Sequence, residues 1–298
     1  MPLLVPDDEP IRYMQRTRDW YLALGYDNPY RWAHFNDVPF QPLRKPLSEC
    51  TVALVATAAP HHAEHDIQRP GAPYNAAAKF FKVYSGDSAR DHDVRNRHVA
   101  IDFKHTTGED SNAWFPLPLM RDLASQGRYR VAPRFHGMPT NRSQRRTIDI
   151  DCPELLARCR EDGVDAAVLV PNCPVCHQTM SLAARHLEAH GIATVIMGCA
   201  KDIVEHCGVP RFVFSDFPLG NPCGLPWQRD MQSEIVGMAL RLLETATGPR
   251  TTIRSPFAWK PDPEWRQRYN RVDAANRERL LAIGDQRRAK RGQAPRVG

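Results

Sequence analysis

Hydrophobic residues in this chain gather in short unbroken runs. The segments Thr51-Val52-Ala53-Leu54-Val55-Ala56-Thr57 and Asp165-Ala166-Ala167-Val168-Leu169-Val170 are apolar at successive positions, the pattern of strands covered on both faces of a parallel sheet. Residues 192–197 and 211–214 repeat it. Between these runs the apolar spacing becomes helical. Asp151 as N-cap, Pro153 in the first turn and Gly163 as terminator predict a helix over 154–162. Helices are predicted over 176–190 closed by Gly191, over 200–207 before Gly208, and over 229–247, where Ile235, Val236, Met238, Leu240, Leu242 and Leu243 make one apolar face. Upstream, a strand is expected over 98–103 and a helix over 117–126, stopped by Gly127. This alternation predicts an α/β fold, a Rossmann-like parallel sheet flanked by helices with right-handed crossovers. It allows two pseudo-symmetric halves, about 51–150 and 151–250, with a cleft between them.

Residues 1–50 are rich in aromatics and prolines and hold one helical segment, 11–24, ended by Gly25. They cannot bury a core alone and are expected to wrap over the 51–250 core. Residues 251–298 form a C-terminal extension. From Arg287 onward it carries Arg288, Lys290, Arg291 and Arg296 without an acid, which predicts a frayed, solvated tail. Over the 298 residues, 40 basic and 34 acidic side chains give a net charge of +6, too mild to indicate a nucleic-acid partner. The longest apolar stretches, such as 164–171, are strand-sized, so no membrane span is expected. The start, Asp7-Asp8-Glu9, is acidic where a signal peptide is basic. A cytoplasmic protein is expected. The 229–247 helix and the aromatic arm could serve a homo-oligomer.

Of eight cysteines, Cys50, Cys152, Cys159 and Cys207 are scattered, whereas Cys173 and Cys176 form a C-x-x-C pair with Cys199 and Cys223 downstream. Such clustering reads as redox chemistry or metal binding. In open α/β sheets the ligand site lies beyond the carboxyl ends of the strands. Those ends deliver the loops 171–179, Gly198-Cys199 and 215–224, with Thr57 and His61-His62 from the first strand. Cys173 opens a helix, where free N–H groups favour a thiolate. Cys176 is placed to attack a sulfur on Cys173 and release it as a disulfide. Cys173, Cys176, His177 and Cys199 could hold a metal, as could His61, His62 and His65 with Glu64 and Asp66. No second ligand pair follows at zinc-finger spacing, so no metal or other cofactor is expected. Cys199 reads as a pocket wall and Cys223 as chemically silent. Asp216 could orient a substrate cation or a histidine.

The stretch Asp162-Gly163-Val164-Asp165-Ala166-Ala167-Val168-Leu169-Val170-Pro171-Asn172-Cys173-Pro174-Val175-Cys176-His177-Gln178 resembles the active-site segment of the selenoprotein B family of glycine, sarcosine, betaine and D-proline reductases. So do 188–195, 210–224 with Asp216-Phe217-Pro218-Leu219-Gly220-Asn221-Pro222-Cys223-Gly224, and His105 followed by Glu109-Asp110 and Trp114-Phe115-Pro116-Leu117. The resemblance covers roughly residues 50–250 and falls largely in loops, which carry function more than packing. It implies that Cys173 stands where the family usually has selenocysteine, the attacking group in reductive carbon–nitrogen cleavage. Cys176 would then be the resolving thiol, and a thioredoxin-like or small-thiol donor the reductant. His177, His105 and His61 are candidates for the general acid. Asn172, Gln178, Thr179, Cys199, Asp216 and Asn221, with His61 and His105, make the expected substrate-binding set. Family reductases often work with a second subunit carrying a pyruvoyl group made by self-cleavage; no such precursor segment is visible here. Two alternatives stay open: a cysteine racemase or lyase with Cys173 and Cys199 as opposed acid and base, and a Cys/His metal-binding protein.

Overall fold

Alternate side chains of the central strands leave by opposite faces, and the two sets build two cores. The computed structural model describes residues 9–27, 30–60, 82–96, 98, 100–140 and 143–293, the last four as backbone only. In chain order its elements are α1 (Tyr13–Ala23), β1 (Thr51–Ala56), β2 (Ala59–Pro60), β3 (Tyr84–Asp87), β4 (Val94–Arg95), α2 (Leu117–Ser125), β5 (Arg130–Val131) and β6 (Arg134–Gly137). Then follow α3 (Gln144–Arg146), α4 (Cys152–Glu161), β7 (Ala166–Val170), α5 (Pro174–Ala189), β8 (Ala193–Gly198), α6 (Lys201–Cys207), β9 (Arg211–Phe214), α7 (Arg229–Thr245), β10 (Thr251–Arg254), α8 (Trp265–Arg268) and α9 (Arg277–Gln293).

One sheet runs in the order β10-β9-β8-β7-β1-β6-β3, with β5 also on β1. All its pairings are parallel except β3 with β6, and β2 and β4 make a separate antiparallel ribbon. On one face Val52, Leu54, Val168, Val195 and Val213 pack with Leu119 and Leu123 of α2 and with Ile235, Leu240 and Leu243 of α7. On the other, Ala53, Val55, Leu169, Ile196 and Phe212 pack with Leu155 of α4 and with Ala183 and Leu187 of α5. The result is a Rossmann-like α/β fold. From β7 the chain winds outward through β8, β9 and β10, while β6 and β3 lie on the other side of β1. The order therefore reverses between β1 and β7, the switch point beyond whose strand ends open α/β sheets bind their ligands. No helix among the described residues is long and apolar enough to cross a membrane.

The structure corrects three sequence expectations. In place of the strand expected over 98–103, His98 and residues 100–103 form no strand: Ile101 N–H donates to the His98 carbonyl and His105 N–H to that of Asp102, so the chain turns there instead of extending. Asp151 is not an N-cap. Ser143 caps the run, accepting from Arg146 N–H at 3.2 Å, and α3 continues through a π turn at Thr147–Asp151 into α4. Nor is the chain frayed from Arg287, since α9 continues to Gln293. Leu280 is buried, and Arg288 donates to the carbonyls of Leu24 and Gly25 at 2.7 and 3.1 Å. A Cβ on Gly284 would lie 1.9 Å from the Leu24 carbonyl oxygen, so only glycine admits this approach.

Candidate active site

The residues that follow β1 and β7 stand at this switch point. Val170 is in register with Ala56, which sets Thr57 beside the Pro171-Asn172-Cys173 turn. Thr57 N–H donates to the Val170 carbonyl, and its hydroxyl oxygen accepts from Asn172 N–H at 3.2 Å and Asn172 Nδ2 at 3.4 Å. Buried Asn172 thereby fixes the backbone leading into Cys173. Its Oδ1 has no hydrogen-bond partner among the described residues.

Cys173 is the N-cap of α5 in an extended conformation, and its sulfur accepts from Cys176 N–H at 3.2 Å. Pro174 follows at the first helical position, where a missing N–H costs nothing. The turn brings the Cα atoms of Cys173 and Cys176 to 4.9 Å, and the sulfurs stand at disulfide distance. Cys176 is fully buried, while Cys173 keeps 7% of its surface. Ile101 packs with the pair and Val175 lies against them.

His98, which the sequence reading passed over as a strand residue, reaches the same place. One of its ring nitrogens and the two sulfurs lie within 4.8 Å of one another, the one such trio of potential metal ligands among the described residues. The four-ligand set with His177 and Cys199 is not formed. His177 Nδ1 lies 2.8 Å from the Cys173 carbonyl, and its Nε2 faces the N–H groups of Cys199 and Ala200 at 2.9 and 3.1 Å. A carbonyl only accepts and an N–H only donates, so Nδ1 carries the hydrogen and Nε2 the lone pair. Burial pushes this imidazole down to about 4. His177 is a neutral brace between the C-x-x-C turn and the end of β8, not an available acid.

That brace needs a glycine at the end of β8. A Cβ on Gly198 would lie 2.8 Å from both Cδ2 and Nε2 of His177. Gly198→Ala is therefore expected to destabilise the protein by about 1–3 kcal/mol, the usual cost of overpacking, and to slow re-formation of the Cys173–Cys176 disulfide. Urea unfolding and timed thiol quenching check both effects; an unchanged midpoint would remove His177 from this role.

Cys199 is buried, with its sulfur 3.9 Å from the Pro218 carbonyl, and burial pushes its thiol far up. Gln178 is committed to the N-terminal arm: its Oε1 accepts from Ala33 N–H at 2.8 Å and its Nε2 donates to the Tyr30 hydroxyl at 2.5 Å. Thr179 is buried with its hydroxyl unpartnered among the described residues. Asp216 accepts from Arg254 and Arg266 of the C-terminal extension at 2.8 and 2.7 Å, so its charge is already met. Asn221 Nδ2 donates to the His105 carbonyl and the Thr106 hydroxyl, which joins the 215–224 loop to the 98–106 loop. The His105 ring lies between Asp102 and Asp262, at 2.8 and 3.0 Å, with the edge of Trp259 against it. Lys104 foremost, then His105, hold the Asp262 carboxyl well below the usual range. His61, His62, His65, Glu64 and Asp66 lie outside the described residues.

Cys173, Cys176, Asn172, Thr57 and His98 thus gather beyond the carboxyl ends of β1 and β7. His105 and Asn221 form a neighbouring cluster, and Gln178 and Asp216 face other duties. His98 and Asp102, four residues apart, and Asp262 all lie far in sequence from the C-x-x-C pair, and no local motif marks them.

The chain is 33% identical over 221 residues to the D-proline reductase subunit gamma of Acetoanaerobium sticklandii, covering 73% of this chain and 88% of that protein. It is 26% identical over 249 residues to the glycine reductase complex component B subunit gamma of Symbiobacterium thermophilum, covering 76% of this chain and 54% of that protein. No family model matches the chain, and no solved structure does.

Proposed function

The chain belongs to the selenoprotein B family of glycine, sarcosine, betaine and D-proline reductases, and from that premise we propose that it cleaves a carbon–nitrogen, or other carbon–heteroatom, bond of a small polar substrate with electrons from the Cys173–Cys176 dithiol. The observation that carries this reading is the pair of sulfurs at disulfide distance beyond the carboxyl ends of β1 and β7.

The Cys173 thiolate attacks the substrate carbon, and the carbon–nitrogen bond breaks. The amine leaves with the bonding pair and takes a proton, leaving a thioether on Cys173. The Cys176 thiolate then attacks the Cys173 sulfur. The carbon–sulfur pair stays with carbon, which takes a second proton as the reduced product departs, and a disulfide remains. Two electrons have passed from two thiols to the substrate. A thioredoxin-like or small-thiol dithiol restores them by exchange. His98, beside both sulfurs, is placed to deliver protons at this centre. The named relatives are subunits of reductases, which supports a protein partner for this chain.

The racemase reading needs Cys199 to exchange protons, and its burial and raised thiol argue against that. The dithiol reading predicts where a limiting electrophile goes. Fully reduced protein treated with substoichiometric iodoacetamide at neutral pH should carry most of the label on Cys173. The other free cysteines, all buried, should label slowly. Preferential labelling of Cys199 or Cys223 would overturn the assignment of the nucleophile.

A further inference from the structure

Once the disulfide is reduced, three soft donors face one another. Cys173 and Cys176 begin α5, His98 comes from the loop beside β1, and a ring nitrogen of His98 and the two sulfurs lie within 4.8 Å of one another. A tetrahedral zinc ion, with bonds of about 2.0–2.3 Å, sets its ligand atoms about 3.3–3.8 Å apart, so on reduction the two sulfurs need only part from bonding distance, with the imidazole nitrogen already within 4.8 Å of both. The surroundings suit a metal. His98 Nε2 lies 2.6 Å from the Thr57 carbonyl, which can only accept. Nε2 therefore donates and the ring is held in place, as metal-bound histidines are held by an outer-shell carbonyl. Cys176 N–H, 3.2 Å from the Cys173 sulfur, favours a negative sulfur there. Two thiolates neutralise a divalent ion, so the filled site adds no net charge to a buried place walled by Ile101 and Val175. Sulfur and nitrogen donors select zinc over magnesium or calcium, which take oxygen.

We propose that the dithiol form of this protein binds Zn2+ through Cys173, Cys176 and His98, and that the ion reversibly blocks the thiol chemistry. The second half rests on the reading of Cys173 as nucleophile; the first does not. Binding forms two zinc–sulfur bonds and one zinc–nitrogen bond and releases the two thiol protons, with no electron transferred. Three protein ligands leave a fourth position for water. Oxidation to the disulfide removes both sulfurs as ligands and expels the ion, so zinc occupancy reports the redox state of the pair.

The test uses the full chain, reduced and kept anaerobic, titrated with zinc sulfate in competition with a chromophoric chelator. The expected result is one zinc per chain in the dithiol form and none in the disulfide form. Affinity should fall by about 100-fold in both His98→Ala and His98→Gln; the glutamine keeps an amide able to donate toward the Thr57 carbonyl. Zinc should also suppress iodoacetamide labelling of Cys173. No uptake by the reduced protein, equal uptake by the disulfide form, or unchanged affinity in both His98 variants would overturn the site. Chain that binds no zinc yet forms a substrate adduct on Cys173 loses this inference and keeps the reductase reading; zinc binding without any adduct does the reverse.

Discussion

Cys176→Ser is expected to arrest the reaction halfway, with substrate carbon bonded to Cys173 and the amine already released. Cys173→Ser is expected to do nothing at all. The difference follows from their places on α5. Cys173 is the N-cap, keeps some exposed surface and receives the Cys176 N–H on its sulfur. Cys176 lies one turn further in and is fully buried, so it reaches the outside only through the Cys173 sulfur. Removing a covalent nucleophile costs several orders of magnitude in turnover, about 10⁴-fold or more. Removing the second thiol spares the first bond-forming step and deletes the one that releases product. Intact mass then separates the two: a stoichiometric increase in Cys176→Ser, and no change in Cys173→Ser. An adduct of equal yield in both variants would place the nucleophile elsewhere.

Arg211→Met should cost about 3–5 kcal/mol of stability, the price of leaving a buried charge without its partner. Arg211 and Glu188 are both fully inaccessible and meet at 2.8 Å. The Glu188 carboxylate also accepts from the Thr194 hydroxyl at 2.8 Å, from Thr194 N–H, and from Gln41 N–H of the N-terminal arm. Arg211 Nη2 donates back to the Gln41 carbonyl at 2.8 Å, and its guanidinium lies over the Phe40 ring. One network thus ties α5, β8, β9 and the arm together. Burial pushes the Glu188 carboxyl up to about 7, against the pull of Arg211; without Arg211 it rises further. A carboxyl raised above its unfolded value of about 4.3 favours folding below that value and loses the benefit as pH rises. The deficit of Arg211→Met should therefore be larger at pH 8 than at pH 5, and Glu188→Gln added to it should recover part of the loss. Urea unfolding at the two pH values measures this. A cost below about 1 kcal/mol at pH 8, in the range of an exposed pair, would show that the network does not anchor the arm.

The parts of the fold that the sequence announces are those with one dominant signal. β1, β7, β8 and β9 are covered on both faces, so they read as continuous apolar runs, and Gly163, Gly191 and Gly208 mark the ends of the helices between them with positive φ. The edge strands β3 and β10, and β6 between β1 and β3, read as Tyr-Ser-Gly-Asp, Thr-Thr-Ile-Arg and Arg-Phe-His-Gly. Each carries a single large apolar or aromatic residue, so no apolar run distinguishes it from loop. The C-x-x-C pair is a local motif, and its long loop matches to a known family are legible at once. His98 is not, because its position depends on a loop folding back over β1, with Thr57 as the fixed point. His177 shows the converse. Adjacency to Cys176 suggests a proton donor, but four residues on from Cys173 the helix turns its ring inward to the end of β8. Asp216 likewise reads as an available anion until the C-terminal extension brings Arg254 and Arg266 to it.

The most direct measurement is a single turnover without external thiol. Fully reduced protein, freed of reductant under anaerobic conditions and supplied with any required partner subunit, is mixed with small amines, amino acids and nitrogen heterocycles, and both released amine and cysteine linkage are counted. The account predicts one carbon–nitrogen bond cleaved per chain, read as one released amine or, from a heterocycle, as one new amino group on the ring-opened product, with the loss of two hydrogens mapped to a peptide joining Cys173 to Cys176. Amine released while both of these thiols remain free would contradict it.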